Sequence, residues 1–239
     1  MIDLADRNEI PVIAVDGPGG SGKGTICRLV AQALGWHLLD SGALYRLVGL
    51  DAGQQGVDVA DEAAVAALAR GLDVRFEAGD EGVSVRLRGQ DVTRAIRSEA
   101  AGVAASRVAV LPAVRGALVD RQRAFRAEPG LVADGRDMGS VIFTDSRLKI
   151  FLTASVEERA RRRYKQLKDK GIDVSLSALS EDMAERDRRD SDRSVAPLTA
   201  CPDARILDTT SMTIEQVVAM VLAWNAEIYG PLLGEEKGL

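Results

Sequence analysis

The sequence contains one histidine and two cysteines among 239 residues, which limits the chemistry that it can carry. His37 lies in a short apolar segment with the pattern of a strand, so we expect it to be structural rather than a general base. Cys27 and Cys201 lie far apart and show no metal-ligand spacing, and Cys27 is predicted to be a small buried thiol. The sequence also shows no Ser/His/Asp or Cys/His arrangement. A zinc centre, a disulfide framework and a triad-type hydrolase are therefore not indicated.

Long apolar runs and an excess of positive charge are also missing. No segment approaches the roughly 20 apolar residues that span a bilayer. The N-terminus carries Asp3, Asp6 and Glu9 instead of a basic region before an apolar run, so no signal peptide is predicted. The net charge is −5 and the pI is about 5.1. We therefore expect a cytoplasmic protein with reduced thiols and with neither nucleic acid nor membrane as a partner. A monomer is also expected, although composition and charge do not determine the oligomeric state.

The sequence does contain a glycine-rich loop between an apolar strand, Val12 to Val15, and a helical pattern from Gly22 to about Leu34. This context makes G-x-x-x-x-G-K a phosphate-binding loop, because glycines let several N–H groups converge on one anion and the helix N-terminus adds positive potential. Lys23 supplies a charge for the β- and γ-phosphates of a nucleoside triphosphate. The loop residues are Gly17, Pro18, Gly19, Gly20, Ser21, Gly22, Lys23, Gly24 and Thr25.

The residue after the lysine is Gly24, where this motif usually has a hydroxyl side chain. Thr25 is therefore the first candidate for contact with the α-phosphate or with a Mg²⁺ ion that arrives bound to ATP. No other metal-ligand pattern is evident, so we expect no protein-held metal cage.

Strand and helix patterns alternate through much of the chain, which predicts a parallel sheet covered on both faces by helices. An exception begins near Asp58. There an alanine-rich helix precedes three short segments with period-two alternation, which predicts an inserted antiparallel meander with a turn at Glu77 to Gly82. The core strands are predicted at Trp36–Leu39, Leu131–Asp134, Lys149–Leu152 and Ala204–Asp208, and the meander strands at Leu72–Phe76, Val83–Leu87 and Gln90–Val92.

Helix boundaries follow from capping residues. Ser41 is predicted to cap a helix through Tyr45, and Thr213 a final amphipathic helix. The charged stretch from Val156 to Asp192 is predicted to be helical, with a break near Gly171. The tail Gly234–Leu239 is expected to be frayed.

Two polar groups follow predicted strands, at the edge where an open α/β sheet places its ligands. One is Asp40-Ser41-Gly42, with Tyr45 and Arg46 on the next helix. The other ends in Arg136 and Asp137, which offer a planar fork for phosphate and an acceptor for an amino group. Each group could also be an ordinary strand-end turn with a solvated ion pair.

The stretch Glu185–Arg193 is rich in arginine. Arg186, Arg189, Asp190 and Arg193 lie at i, i+3, i+4 and i+7, which predicts one helical face. A solvated charge run is the usual explanation, but phosphoryl transfer also needs cations that close over the equatorial oxygens. A second basic cluster, at Arg159, Arg161, Arg162 and Arg163, lacks interleaved aromatic residues, which argues against a nucleic-acid site.

Taken together, these motifs resemble the cytidylate kinase family of nucleoside monophosphate kinases. The resemblance runs from about Ile10 to Val221 and rests on the loop ending Lys23-Gly24-Thr25 and on four further stretches. They are residues 36–46 (WHLLDSGALYR), 121–126 (RQRAFR), 133–139 (ADGRDMG) and 193–198 (RSVAPL).

The resemblance implies an α/β P-loop three-layer fold with a central parallel sheet, an inserted domain that binds the nucleoside monophosphate and contains a small antiparallel sheet, and a helical lid. It implies a P-loop core at residues 1–57, 108–155 and 194–239, the insertion at 58–107 and the lid at 156–193. The implied reaction transfers the γ-phosphoryl group of MgATP to CMP or dCMP.

The resemblance also implies roles for individual residues. Asp137 would accept a hydrogen bond from the exocyclic amino group of cytosine, and Lys23, Arg136, Arg186 and Arg193 would be the catalytic cations. Arg159 and Arg163 would lie on the ATP side of the lid. The CMP-binding residues would be Ser41, Tyr45, Arg46, Ser106, Arg115, Arg136, Asp137, Arg186, Asp190 and Arg193.

Two alternatives stay open at this stage. A kinase of the same fold could act on UMP, AMP or a non-nucleotide alcohol, and a nucleotide-dependent switch or ATPase would need no acceptor. The first would show another acceptor preference, and the second would turn over ATP without any monophosphate.

Overall fold

The computed structural model describes residues 10–79, 82–169 and 171–230, and the chain divides into two compact units. The core unit contains the chain up to Leu39 and from Arg123 onward, and the second unit spans Asp40–Gln122. The predicted insertion, residues 58–107, lies within the second unit. The predicted boundaries of the insertion and the lid remain predictions.

A five-stranded sheet forms the centre of the core unit, in the order β2-β6-β1-β7-β8. β1 pairs in parallel with β6 and β7, and β7 pairs in parallel with β8. β1 is the middle strand, and all its residues are buried, as expected for a parallel strand covered on both faces. The strands are β1 Val12–Asp16, β2 His37–Asp40, β6 Leu131–Asp134, β7 Leu148–Thr153 and β8 Arg205–Asp208.

Helices cover this sheet and pack through apolar side chains. Ile13 and Val15 of β1 share one buried cluster with Cys27 and Val30 of the first helix, so the predicted buried thiol is confirmed. The helices of the core unit are α1 Lys23–Leu34, α6 Val156–Lys168, α7 Leu176–Ser191 and α8 Ile214–Tyr229.

Local sequence sets the ends of these helices. α1 ends at Gly35, whose φ of +65° is left-handed and whose N–H donates to Ala31 O. α8 begins with a capping box, in which Thr213 and Gln216 satisfy each other's backbone N–H groups. The predicted cap at Thr213 is therefore confirmed.

The second unit combines helices with a three-stranded antiparallel sheet in the order β3-β4-β5. α2 packs against α4, and the contact is close because a Cβ built at Gly49 would lie 2.8 Å from Ala104 Cβ. Arg88 joins the β4–β5 turn to α2 through two hydrogen bonds to Asp51, of 2.7 and 2.9 Å. The elements are α2 Ser41–Gln54, α3 Glu62–Arg70, β3 Val74–Gly79, β4 Gly82–Leu87, β5 Gln90–Asp91, α4 Glu99–Val108 and α5 Pro112–Arg123.

Two local predictions need correction, and one local feature was not predicted. Asp40, not Ser41, is the N-cap of α2, because the Asp40 carboxylate accepts from Ala43 N and Ser41 is already helical. The predicted turn at Glu77 to Gly82 is too long, since β3 continues to Gly79 and β4 begins at Gly82. The sequence also gave no sign of a π-helical turn at Met138–Ile142.

Some predictions fall outside the described residues. These are the acidic N-terminal segment with Asp3, Asp6 and Glu9, and the tail Gly234–Leu239. In the ranges that the structure describes, no single helix is long and apolar enough to cross a membrane. α4 and α5 reach the required length and composition only when they are taken together, and the chain bends by 106° between them.

Candidate active site

The loop between β1 and α1 is built to leave backbone N–H groups available to an anion. Gly20 and Gly22 adopt left-handed φ values of +77° and +94°, which glycine takes without strain. Gly22 is also the N-cap of α1, and it supplies no side chain that would occupy the N–H groups of the first turn. The helix N-terminus therefore adds its positive potential to the loop.

Lys23 is the first residue of α1, and its side chain is buried in this loop. Its Nζ donates to Gly17 O and Pro18 O, each at 2.8 Å. Burial, together with the positive charge of Arg136, lowers the pKa of Lys23 to about 7. A triphosphate placed here would reverse that shift, because its negative charge favours the ammonium form.

We expect nucleotide binding to take up roughly one proton at pH 8. With a pKa of about 7, Lys23 is mostly neutral at pH 8 before binding, and the bound triphosphate restores its charge. ATP affinity should therefore be greatest below pH 7 and should fall as the pH rises above 7. Titration calorimetry at pH 8, in buffers of different ionisation enthalpy, measures the uptake.

The phosphates of ATP do not contribute to the proton uptake at pH 8, because the highest phosphate pKa is about 6 and the phosphates are already ionised at this pH. The uptake at pH 8 should disappear in Lys23→Met. Binding at pH 8 without proton uptake would contradict the assignment to Lys23.

Asp190 holds two arginines of the predicted site together. Arg136 Nε donates to Asp190 Oδ2 at 3.0 Å, and Arg193 Nη2 lies 3.4 Å from Asp190 Oδ1. Burial alone would raise the pKa of Asp190, but the charges of Arg136 and Arg193 outweigh it and lower the pKa. The carboxylate therefore stays ionised and fixes two guanidinium groups side by side.

One part of the predicted arginine face is wrong. α7 ends at Ser191, so Arg193 lies beyond the helix and folds back, with Nε donating to Asp190 O at 3.1 Å. Arg189 is exposed, with Nε 3.8 Å from Glu185 Oε1. The i, i+3, i+4, i+7 spacing therefore identified Asp190 and Arg193 as neighbours but gave the wrong geometry.

Arg186 of α7 lies beside the phosphate loop. A Cβ built at Gly19 would lie 3.6 Å from Arg186 Nε and 3.5 Å from Arg136 Nη2. A Cβ at Gly20 would lie 3.1 Å from Met183 Cε. The loop glycines thus leave room for side chains of α7 and of the Arg136 turn.

α6 also reaches the loop, through Arg159 and Arg162. Arg159 is buried and donates to Gly19 O at 2.9 Å and to the carboxylate of Asp187. Arg162 donates to Ser21 O at 3.2 Å and to Thr209 O at 2.6 Å. The sequence analysis assigned no role to Arg162 or Asp187, because both lie in a charge run with no distinguishing spacing.

Arg163, which was predicted on the ATP side, donates to Gln166 of the same helix at 3.0 Å. His37 is exposed, and its Nε2 donates to Glu128 O at 2.8 Å, which fits the predicted structural role.

Asp137 is buried at the start of the turn that follows β6. The next two N–H groups, of Met138 and Gly139, donate to Asp16 at 2.7 and 2.9 Å. Burial raises the pKa of Asp16 to about 6, although these two hydrogen bonds oppose the shift. The sequence analysis missed Asp16, since it precedes the loop motif and its partners are more than a hundred residues away.

The remaining predicted residues lie in the second unit. Tyr45 and Arg115 are both buried and lie together, with Arg115 Cζ 5.6 Å from the centre of the Tyr45 ring. Ser41 and Ser106 are also buried, on α2 and α4. Arg46 Nη1 lies 3.5 Å from Asp40 Oδ2 in an exposed ion pair.

A phosphate loop with a buried lysine, flanked by clustered arginines, is typical of P-loop proteins that act on phosphoryl groups. The family model described as cytidylate kinase matches residues 13–227. This chain therefore belongs to the cytidylate kinase family, and it is a phosphotransferase with a phosphate group as acceptor.

Individual relatives agree with this family. Cytidylate kinase of Aeromonas salmonicida is 56% identical over 220 residues, covering 92% of this chain and 96% of the relative. Cytidylate kinase of Pseudomonas savastanoi pv. phaseolicola is 60% identical over 215 residues, covering 89% and 94%. Among solved structures, a gluconokinase from Sinorhizobium meliloti is 16% identical with a TM-score of 0.44, covering 91% of this chain and 92% of that one.

Proposed function

We propose that this chain transfers the γ-phosphoryl group of MgATP to CMP or dCMP, giving ADP and CDP or dCDP. The observation that carries the proposal is that Asp190 fixes the guanidinium groups of Arg136 and Arg193, and that Arg136 is close enough to the buried loop lysine, Lys23, to lower its pKa. The family match over residues 13–227 supports cytidylate as the acceptor.

The reaction needs no protein nucleophile. An oxygen of the acceptor phosphate is already anionic, and it forms the new bond to the γ-phosphorus while the bond to the bridging oxygen of ADP breaks. Positioning and charge neutralisation supply the acceleration. Lys23 and the loop amides hold the donor, and Arg136 and Arg193 neutralise the oxygens of the transferred group.

The acceptor is recognised by a second set of residues, which shares Arg136 with the first. Arg46 and Arg136 hold its phosphate, and Arg186 and Asp190 contact its sugar hydroxyls. Asp137 accepts from the amino group of cytosine, which UMP lacks. Ser41, Tyr45, Ser106 and Arg115 complete the base pocket, and the burial of all four supports this role.

The residues at the loop suit a Mg²⁺ ion that is carried by the nucleotide. In the part of the chain that the structure describes, no three histidine, cysteine or acidic residues cluster as a metal site. The available hard ligands are the hydroxyl of Thr25 and the carboxylate of Asp134, whose Oδ2 would lie 3.5 Å from a Cβ built at Gly24. Mg²⁺ would neutralise charge on the β- and γ-phosphates.

α6 and α7 form the lid in this proposal. The contacts of Arg159 and Arg162 with loop carbonyls support it, since α6 already touches the donor loop. A closed lid excludes water, so that ATP is not hydrolysed in place of transfer. Both cysteines are thiols, which fits the reducing cytoplasm, and we propose a cytoplasmic monomer.

A panel of acceptors tests the proposal. ADP formation from MgATP is measured with CMP, dCMP, UMP, AMP and GMP, and with no acceptor. We expect CMP and dCMP to give the highest kcat/KM and the sample without acceptor to be nearly silent. UMP is expected to be at least roughly tenfold poorer than CMP, because Asp137 would face an acceptor oxygen.

Two other results would overturn the proposal. A preference for UMP or AMP would mean a kinase of the same fold with another substrate. Steady ATP turnover without acceptor would mean an ATPase or a nucleotide-dependent switch.

A further inference from the structure

Asp16, the last residue of β1, is a buried carboxylate that holds a distant turn. Its Oδ1 accepts from Met138 N at 2.7 Å, and its Oδ2 accepts from Gly139 N at 2.9 Å. The Asp16 residue is 5% exposed. One carboxylate therefore satisfies two consecutive backbone donors, with one oxygen for each.

The turn held in this way carries two of the residues proposed to recognise the acceptor, Arg136 and Asp137. Gly135 N donates to Val15 O at 3.0 Å, so the segment with Arg136 and Asp137 is fixed to β1 on its N-terminal side. The two bonds to Asp16 fix it on the C-terminal side. Arg136 and Asp137 lie between these anchors.

Neighbouring side chains leave this turn little freedom. A Cβ built at Gly139 would lie 3.1 Å from the stem of Lys149 and 3.4 Å from Cys201 Sγ. The backbone at Gly139 is therefore packed from outside while Asp16 holds it from β1. A small change in these hydrogen bonds would be transmitted to Asp137, the residue before Met138.

We propose that Asp16 is a positioning residue for acceptor recognition, which fixes the turn of Arg136 and Asp137 to the strand that leads into the phosphate loop. The inference rests on the proposed function, because it concerns the residues assigned there to CMP. Gly17 follows Asp16 directly, so one strand end places both the donor loop and the acceptor turn.

A carboxylate suits this role better than a neutral side chain. Asparagine has nearly the same shape, but its amide offers one acceptor and one pair of donors. One of the N–H groups, of Met138 or Gly139, would then face a donor and lose its partner. Such a buried donor is costly to leave unsatisfied, so the turn should shift.

Asp16→Asn tests the proposal. We expect the KM for CMP to rise roughly tenfold or more, and the kcat/KM ratio of CMP to UMP to fall roughly tenfold, as one unsatisfied buried donor implies. The KM for ATP should change by less than about threefold, because the loop keeps its own contacts. Amide exchange at Met138 and Gly139 should become faster.

Ser146→Ala is the matched control. Ser146 is buried, and its hydroxyl donates to Val12 O at 2.7 Å and to Leu148 O at 3.0 Å. Loss of this hydroxyl therefore weakens the contacts of β1 at Val12, the end of the strand opposite Asp16. This variant should melt earlier than the wild type but keep the CMP-to-UMP ratio. If Asp16→Asn does not fold, Asp16→Glu keeps both acceptor oxygens in a displaced position and is measured in the same way.

The outcomes separate the possibilities. Equal increases in the KM for ATP and CMP, an unchanged CMP-to-UMP ratio, or the same loss of ratio in Ser146→Ala would overturn the positioning role. A wild-type protein that does not prefer CMP would defeat the proposed function instead. In that case amide exchange and the KM of the preferred acceptor still decide whether Asp16 positions the turn.

Discussion

Replacing Arg193 with methionine should lower kcat for CMP phosphorylation by about 10³-fold, the scale of an arginine that stabilises a phosphoryl-transfer transition state. Arg193 is buried and is held by Asp190 through Nε at 3.1 Å and Nη2 at 3.4 Å. Its orientation is thus set before substrate binds, which is the condition for electrostatic stabilisation without reorganisation. Steady-state kinetics with saturating ATP and CMP measures the effect.

Arg193→Lys separates charge from geometry. Lysine keeps the positive charge but lacks the planar fork that contacts Asp190 at two points, so we expect an activity between those of the methionine variant and the wild type. Arg188→Met is the matched control, because Arg188 is an exposed arginine near the end of α7. It should leave kcat within about twofold of the wild type, as surface substitutions usually do.

The KM values complete this test. If Arg193 acts mainly on the transferred group, kcat should fall far more than the KM for ATP rises. A loss confined to KM, with kcat preserved, would show that Arg193 binds the ground state and the transition state equally and does not favour the transition state. The same loss of kcat in Arg188→Met would show that any reduction of positive charge near α7 is enough.

The phosphate loop could be predicted from sequence because its physics is local. Strand, glycines, lysine and helix follow one another within Val12–Leu34, and each part is where its pattern indicated. The antiparallel meander was also predicted, since period-two alternation is a property of neighbouring residues. The helix caps were less certain, because Asp40 and Ser41 are both good caps and only the fold decides between them.

The contacts that arrange the arginines could not be predicted in this way. Asp187 pairs with Arg159 and Asp16 with Met138, across 28 and 122 positions in sequence. Nothing in the spacing of a charge run distinguishes Arg162, which reaches Ser21 O, from Arg161, which pairs with Glu158. Such partners depend on how α6 and the turn after β6 pack on the sheet, and only the tertiary structure shows this packing.

The charged groups of the core unit suit the binding of phosphate in the proposed function. Lys23 and Arg136 are close enough for Arg136 to lower the pKa of Lys23, so part of the positive charge is suppressed before nucleotide binds. Asp190 balances Arg136 and Arg193 during that time. Bound phosphate oxygens would add negative charge beside these cations. The proton uptake expected at Lys23 and the loss of kcat expected in Arg193→Met therefore test the same group of charges.

Gly17→Ala should destabilise the fold and disrupt ATP binding together. Gly17 has a φ of +148°, and a Cβ built on it would lie 2.0 Å from Leu152 O, in β7. A side chain at this φ is strained by about 1–2 kcal/mol, and moving packed atoms costs roughly 1–3 kcal/mol more. The unfolding free energy should therefore fall by about 2–5 kcal/mol, which lowers the melting temperature by roughly 5–15 °C.

The loss of ATP affinity in Gly17→Ala should exceed what unfolding explains. Gly17 O is one of the two carbonyls that hold Lys23 Nζ, so a shifted backbone at Gly17 also displaces the buried ammonium. Calorimetry on the folded fraction at low temperature should show affinity reduced by at least about 100-fold, the scale expected when a charged hydrogen-bonding group is misplaced.

Gly116→Ala is the control for the glycine substitution itself. Gly116 lies in α5, and a Cβ there would meet nothing within 4 Å, so alanine should raise stability by up to about 1 kcal/mol. If Gly17→Ala melts within about 2 °C of the wild type, an alanine side chain fits beside Leu152 of β7, and the predicted steric clash is wrong. A destabilised variant that binds ATP normally would show that Gly17 contributes to the stability of the sheet but not to ATP binding by the loop. Stability and ATP affinity should fall together because Gly17 directly follows the central strand β1 and is also the first residue of the phosphate loop.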